Sequence, residues 1–498
     1  MPDKLDILFI NPGEPNQIYQ GLSDEFCAFE PPVFSGLFAT YARQKGASVA
    51  IVDAPAIGLR APQVAEVATK IFDPTLIVIS VYGFQPSAST QNMTSAGTIA
   101  RLIKEANPRA RVLMTGTHLA ALPERSMREE AVDFVCDREG PVTIWRTLEV
   151  LRAGRDDFST VPSLWWRQDG RIVKPRESEV LLDDLDREMP GIPWDLLPMD
   201  RYRSHNWHAF DHIDDRAPYA AIHTTLGCPY RCSFCCINAP FGKPSYRMWS
   251  PEAVVKEIDF LVAKYGIKNI KFVDEMFVLN KRHVLGICDL LIERNYDLNI
   301  WAYARVDTVQ DQFLDKLRKA GFRWLAIGIE SASDMVRDGA QKKYGQEEIS
   351  DTVRRVQNAG IHVLGNFIFG LPDDSHERMQ QTLDMAIDLN CEFTNFYCAM
   401  AYPGSALYTM AEQSGVALPA KWHHYSQHGY EMLPLANKHC SAAEIVKFRD
   451  EAWQTFFTGA RYHSLVERKF GPKVLAHIQR MTKTPLRRKL LEDRLVTA

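Results

Sequence analysis

Short runs that are apolar throughout alternate along this chain with longer stretches in which apolar residues recur every three or four positions. Over residues 1–153 the apolar runs fall at 7–10, 49–52, 76–80, 111–114 and 134–136, and the helical period covers 33–45, 62–72, 94–106 and 142–152. A strand that is apolar on both sides belongs in a sheet covered on both faces, and strands separated by amphipathic helices run parallel. The pattern predicts an α/β fold whose first part is a doubly wound parallel sheet. Ligands of such sheets sit outside the carboxyl ends of the strands. Those ends carry Asn11, Ser80 and Tyr82, then Gly116, Thr117 and His118, and finally Glu139 and Gly140.

Residues 154–215 break this rhythm. Positions 164–173 read as a hairpin turning on Asp169-Gly170, and Pro190, Pro193 and Pro198 interrupt regular structure. This part is expected to connect two domains. The alternation returns over 216–411, with strands predicted at 219–225, 269–274, 299–305, 324–330, 363–369 and 393–400 and helices such as 251–265 and 311–320 between them. Six units suit an incomplete (β/α)6 barrel, whose active site is expected at the strand carboxyl ends. Over 412–498 strands disappear and a small helical region is expected. Positions 442–465 read as helix, and 471–491 hold six Lys or Arg and no Asp or Glu. The plain reading of that basic run is a solvated helix face; the sharper one is a phosphate- or lipid-seeking surface.

With 498 residues, 46% of them hydrophobic, the chain can bury several cores. A net charge of −4 gives no general attraction to nucleic acid or anionic membrane. No apolar run reaches the roughly eighteen residues of a membrane span. Positions 1–6 lack the basic and apolar regions of a signal peptide, so a cytoplasmic location is expected.

The chemistry concentrates in nine residues, GCPYRCSFC at 227–235, just after the first barrel strand. Cys228, Cys232 and Cys235 supply three thiolates, and a closed metal site needs four ligands. An iron–sulfur cluster held by three cysteines keeps one iron open. The competing reading is a zinc site completed by Cys236 or His223.

The spacing CxxxCxxC, with Phe234 before the last cysteine, resembles the signature of the radical S-adenosylmethionine superfamily. That resemblance implies a [4Fe–4S] cluster whose open iron binds S-adenosylmethionine, and cleavage to a 5′-deoxyadenosyl radical. It also implies that Phe234, Asp274, Glu275, Arg305, Glu330 and Gly370, at or near successive strand ends, contact S-adenosylmethionine. A doubly wound domain ahead of such a barrel is similar to the Rossmann-like cobalamin-binding domain of the cobalamin-dependent class. The implied cobalamin contacts are Asn11, Ser80, Tyr82, Gly116, Thr117, His118, Glu139 and Gly140. The Asp-x-His-x-x-Gly motif of many cobalamin domains is absent, and His118 lies after the fourth strand, so it is read as lining the pocket or supporting it. Tyr82, Tyr303 and Tyr397 are candidates for the reaction cavity.

The resemblance implies a methyltransferase that carries a methyl group from S-adenosylmethionine through cobalamin to an unactivated carbon, or phosphorus, of a small molecule. A cyclase, oxidase or mutase using the same cofactors is the nearest alternative. A non-catalytic cobalamin-responsive binding protein is the alternative of another class. The expected partners are a small-molecule substrate and an electron donor such as flavodoxin or ferredoxin, with no nucleic acid and no membrane span; the chain is expected to be a monomer.

Overall fold

The structure is a computed structural model and describes residues 3–83, 85 and 87–496. Its first sheet contains five parallel strands, β1 (Asp3–Asn11), β2 (Val49–Asp53), β3 (Phe72–Ser80), β4 (Val112–Thr115) and β5 (Phe134–Cys136), in the order β2-β1-β3-β4-β5. Successive residues of β1 bury opposite faces. Leu8 and Ile10 pack in one hydrophobic cluster and Ile7 and Phe9 in the other. This double burial is why the strands read as unbroken apolar runs. Strand order reverses at β1, so Asn11 of β1 and Ser80 of β3 flank the switch point where doubly wound sheets bind ligands. The hairpin forms as β6 (Leu164–Gln168) and β7 (Arg171–Val173), and it adds antiparallel to the edge at β5, extending the first sheet.

The second sheet is wholly parallel. It runs β8 (Tyr219–Ile222), β11 (Asn269–Phe272), β12 (Asn299–Arg305), β13 (Phe322–Glu330), β14 (His362–Phe369) and β15 (Phe393–Cys398), each next to its predecessor. The predicted first strand stops at Ile222, and Thr225–Leu226 (β9) instead pairs with Arg247–Met248 (β10) as a short antiparallel ribbon. β8 and β15 are the free edges of an unclosed barrel.

Two features complete the barrel. The turn Trp207–His212 closes its amino end: His208 Nε2 lies 2.9 Å from the Asn299 carbonyl, and Trp207 meets the edges of Trp301 and Trp324. Residues from 19–28 and 481–486 line the same internal cavity as Trp301, Tyr303 and Phe393, so they cover the open side.

Helices Ala442–Phe457, Ala460–Phe470 and Pro472–Thr482 pack on this domain, where the sequence suggested one helix over 442–465; the chain breaks at Thr458 and Gly459, which is extended. The basic segment is an exposed, solvated face, as its plain reading expected, and carries surface ion pairs. Arg480 pairs with Glu25, Lys473 with Asp214, Arg487 with Glu492, and Lys489 with Glu431. Arg488 is buried against Asp450 at 2.9 Å. Among the described residues, no helix is long and apolar enough to cross a membrane.

Candidate functional site

The cysteine loop leaves the barrel mouth through Gly227, whose φ of +87° and close approach to Ser245 exclude a side chain; a Cβ there would lie 2.7 Å from the Ser245 carbonyl oxygen. A turn from Cys235 N to Cys232 O (3.1 Å) folds the loop. Leu407 N donates to Ser233 O at 2.9 Å and anchors it. Cys228, Cys232 and Cys235 then line one cavity of about 250 Å³. Among the described residues, these three sulfurs are not drawn within 4.8 Å of one another, as a single ion would require. His223 is turned toward Asp274, its Nδ1 3.8 Å from the carboxylate. That donor set fits a cubane that spreads its ligands and does not fit zinc. Burial pushes the Cys228 thiol up to about 12 and Cys235 well above its ordinary value, so loading a metal there releases protons.

The same cavity is lined by Glu275, just after β11, Arg305 of β12, Glu330 of β13 and Phe234 of the loop itself. Arg305 Nη1 is 3.6 Å from Cys232 Sγ, its guanidinium covers Tyr230 at 3.8 Å, and it forks onto Asp307 at 2.9 and 3.0 Å. Burial disfavours its charge, but the pair with Asp307 outweighs this and raises its pKa. Glu330 sits at φ +68° where the β13–β14 register shifts, and it is ion-paired with Lys342. Lys342 lines the cavity too. Sequence reasoning missed it, because it lies in the irregular stretch after β13 and no periodicity marks it. Tyr230 and Asn366 also line the cavity.

Two expected contacts lie elsewhere. Asp274 is fully buried and spends its oxygens on Thr224 N (2.6 Å) and Thr224 Oγ1. Gly370 backs onto the C-terminal helices, where a Cβ would lie 2.6 Å from Ile445.

Burial raises the Glu275 carboxyl to about 7, with Lys271 opposing and Asp274 adding to the shift. A raised carboxyl holds its proton in the folded state and loses it in the unfolded state. Its contribution to stability therefore falls as pH rises from 4.5 to about 7 and is constant above. Glu275→Gln is expected to flatten the pH dependence of the melting temperature across that window, by at most about 1.4 kcal/mol per pH unit. Thermal melts of wild type and variant, before S-adenosylmethionine is added, check this; parallel curves would exclude it.

On the first domain the polar residues divide. Ser80 Oγ and Thr115 Oγ1, at the carboxyl ends of β3 and β4, are buried without a hydrogen-bond partner. Such orphaned hydroxyls at a switch-point face fit a ligand rich in amide groups. Thr117 and Tyr82 border the narrow cleft toward Glu275, with the Tyr82 ring stacked on Phe34 and its hydroxyl donating to Glu139 O at 2.6 Å. Asn11 is occupied, donating to Asp53 at 2.8 Å. Gly116 has φ +151°, and a Cβ would strike the Val81 carbonyl oxygen at 2.1 Å. Gly140 N donates to Glu179 at 3.1 Å. His118 is buried beside Thr90 and Trp422, and burial lowers its pKa to about 3. It supports the domain wall. Glu139 is a joint: its carboxylate receives Arg247 at 2.6 and 3.1 Å, tying the first domain to β10 and so to the base of the cysteine loop.

A chamber of about 400 Å³ fills the barrel interior. Gln85, Tyr303, Tyr397, Tyr402 and Gln427 line both it and the cysteine cavity, so the two adjoin across these side chains. Tyr303 accepts from Gln85 of the first domain. At the chamber wall Lys271 and Glu30 form a buried pair at 2.8 Å.

Residues 222–386 match the model of the Radical SAM superfamily, and residues 31–145 match that of the B12 binding domain. The chain is 30% identical over 429 residues to an uncharacterized methyltransferase of Pyrococcus horikoshii, covering 86% of this chain and 88% of that one. It is 26% identical over 409 residues to the anaerobic magnesium-protoporphyrin IX monomethyl ester cyclase of Rubrivivax gelatinosus, covering 81% and 69%. Its fold matches the radical S-adenosylmethionine methyltransferase TsrM from Kitasatospora setae, with cobalamin and a [4Fe-4S] cluster bound, at a TM-score of 0.67 and 17% identity over 93% of this chain and 90% of that one. It also matches the cobalamin-dependent radical enzyme OxsB with aqua-cobalamin and S-adenosylmethionine bound, at a TM-score of 0.69 and 15% identity over 96% and 71%.

Proposed function

Because the chain belongs to the cobalamin-dependent radical S-adenosylmethionine family, we propose that it is a methyltransferase acting on an unactivated carbon, or phosphorus, of a small molecule. The observation that carries this reading is the placement of the chamber directly beside the cysteine cavity, with one layer of side chains common to both. The cofactors are a [4Fe–4S] cluster, S-adenosylmethionine and cobalamin; when bound they supply a carbon-centred radical and a transferable methyl group.

The chain's own residues hold and orient. Cys228, Cys232 and Cys235 ligate the cluster. Glu275, Arg305, Glu330 with Lys342, and Phe234 hold S-adenosylmethionine; Ser80, Thr115 and Thr117 face cobalamin. Tyr303 and Tyr397 belong to the layer common to both cavities. Burial pushes Tyr397 up to about 12 and Tyr303 well above its ordinary value, so both stay protonated and offer neutral hydroxyls. The covering segments keep water from the chamber, where a radical must survive.

In this reading the domains divide at 153, 215 and 411, the chain works as a cytoplasmic monomer, and a flavodoxin or ferredoxin reduces the cluster. The relative named as a cyclase supports ring formation as the second outcome. Anaerobic turnover of candidate substrates with methyl-labelled S-adenosylmethionine separates the two. Labelled product with both S-adenosylhomocysteine and deoxyadenosine is expected; deoxyadenosine with an unlabelled product would replace methyl transfer by cyclisation or oxidation.

A further inference from the structure

Away from both cavities, His423 Nε2, His424 Nε2 and a Glu431 carboxylate oxygen converge within 4.8 Å, the only such group of three among the described residues. Glu431 Oε2 is 2.9 Å from His423 Nε2 and 3.4 Å from His424 Nε2. The first contact is a hydrogen bond. The second is not aligned as one, and His424 Nε2 is left buried with no partner. We propose that His423, His424 and Glu431 form a binding site for one divalent transition-metal ion of the zinc type, separate from the cluster and from cobalt.

Ligand type and spacing both favour this. Two imidazole nitrogens and one carboxylate oxygen suit zinc, with a fourth position for water. Bonds near 2.1 Å in a tetrahedron set ligands about 3.4 Å apart, so His424 already stands at that distance and His423 has a few tenths of an ångström to yield. The supporting contacts are also in place. His423 Nδ1 lies 3.2 Å from Thr94 Oγ1, which frees Nε2 as a ligand when Nδ1 carries the proton. Lys489 donates to the other carboxylate oxygen, Glu431 Oε1, at 3.2 Å and leaves Oε2 facing both rings. The side chains are 10%, 16% and 28% exposed, enough for an ion to enter.

The position gives the ion a structural task. Thr94 lies on helix Ala88–Ala106 of the first domain, and the stretch from His423 to Glu431 includes Gln427 and His428, which line the chamber. A metal would fasten that stretch to the first domain.

The test is equilibrium dialysis of the untagged holoenzyme, with cluster and cobalamin loaded, against Zn²⁺ at neutral pH. One zinc per chain is expected beyond the cluster iron. Co²⁺ in its place should give ligand-field bands in the difference spectrum against the same holoenzyme without added metal, with no new thiolate-to-cobalt charge-transfer bands, which excludes the cysteine loop. His424→Ala and Glu431→Gln should lose the ion, and Thr94→Val should weaken it about tenfold to a hundredfold, with cluster iron and cobalamin unchanged. Zinc should raise the melting temperature of wild type and not of His424→Ala. No zinc beyond the cluster, or equal affinity in wild type, His424→Ala and Thr94→Val, overturns the proposal.

Discussion

Cys232→Ala is expected to yield a folded protein that binds cobalamin but carries no iron–sulfur absorbance and forms no deoxyadenosine above background. Cys232 is partly exposed and sits in a loop anchored at Ser233, so the fold does not depend on its side chain. The cluster does. With three protein ligands the open iron is a designed vacancy; with two, a second iron is open and the cluster is labile. The drop in turnover should be at least about three orders of magnitude, equivalent to roughly 4 kcal/mol of barrier. Arg305, 3.6 Å from this sulfur, would lose its negative neighbour but keep Asp307. Iron analysis, absorbance and deoxyadenosine assay on anaerobically reconstituted protein check this. A variant with full iron content and turnover would mean that Cys232 is not a ligand.

The second large effect is on stability. Glu139→Ala should destabilise the protein by about 3–5 kcal/mol, because it strands the Arg247 guanidinium in the interior. The arginine side chain is 10% exposed and its acid partner 1%. Its remaining acceptor is the Leu182 carbonyl at 2.5 Å, and its Nε has no partner. The loss should be far smaller in the double variant with Arg247→Ala, since no charge is then left behind, so a double-mutant cycle followed by denaturant unfolding isolates the pair. Equal destabilisation of the single and double variants would show that the pair is not what holds this joint. Turnover should fall along with stability, as β10 loses its tie to the first domain.

The strands and the cysteine loop were legible because each rests on local information: an apolar run, a breaker, a spacing of three and four. Both sheets follow from that, as does the placing of Glu275, Arg305 and Glu330 around one cavity. What escaped depends on pairs distant in sequence. Glu139 looked like a ligand contact because it ends a strand; its partner, more than a hundred positions away, decides otherwise. Asp274 looked available for the same reason, and Thr224 consumes it. Lys342 was invisible because burial turns an ordinary loop lysine into a cavity group, and no local pattern announces burial. In the basic run at 471–491 only Arg488 escaped: the other five cations lie exposed, as a solvated face should, whereas Arg488 is buried against Asp450.

The chamber wall is stitched from segments at opposite extremes of the described chain. Gln20 Nε2 donates to the Arg487 carbonyl at 3.1 Å across a separation of 467 residues, and Arg487 N returns a bond to Gln20 at 3.2 Å. Contacts of that span close very long loops and carry a correspondingly large closure cost. The cysteine loop and its strand ends are assembled from much nearer neighbours. Cysteine cavity and chamber therefore differ in how much of the chain each demands: the first is lined by residues between Gln85 and Gln427, whereas the second also needs 19–28 and 481–486, so trimming either end would open the chamber's wall before it touched the cysteine loop.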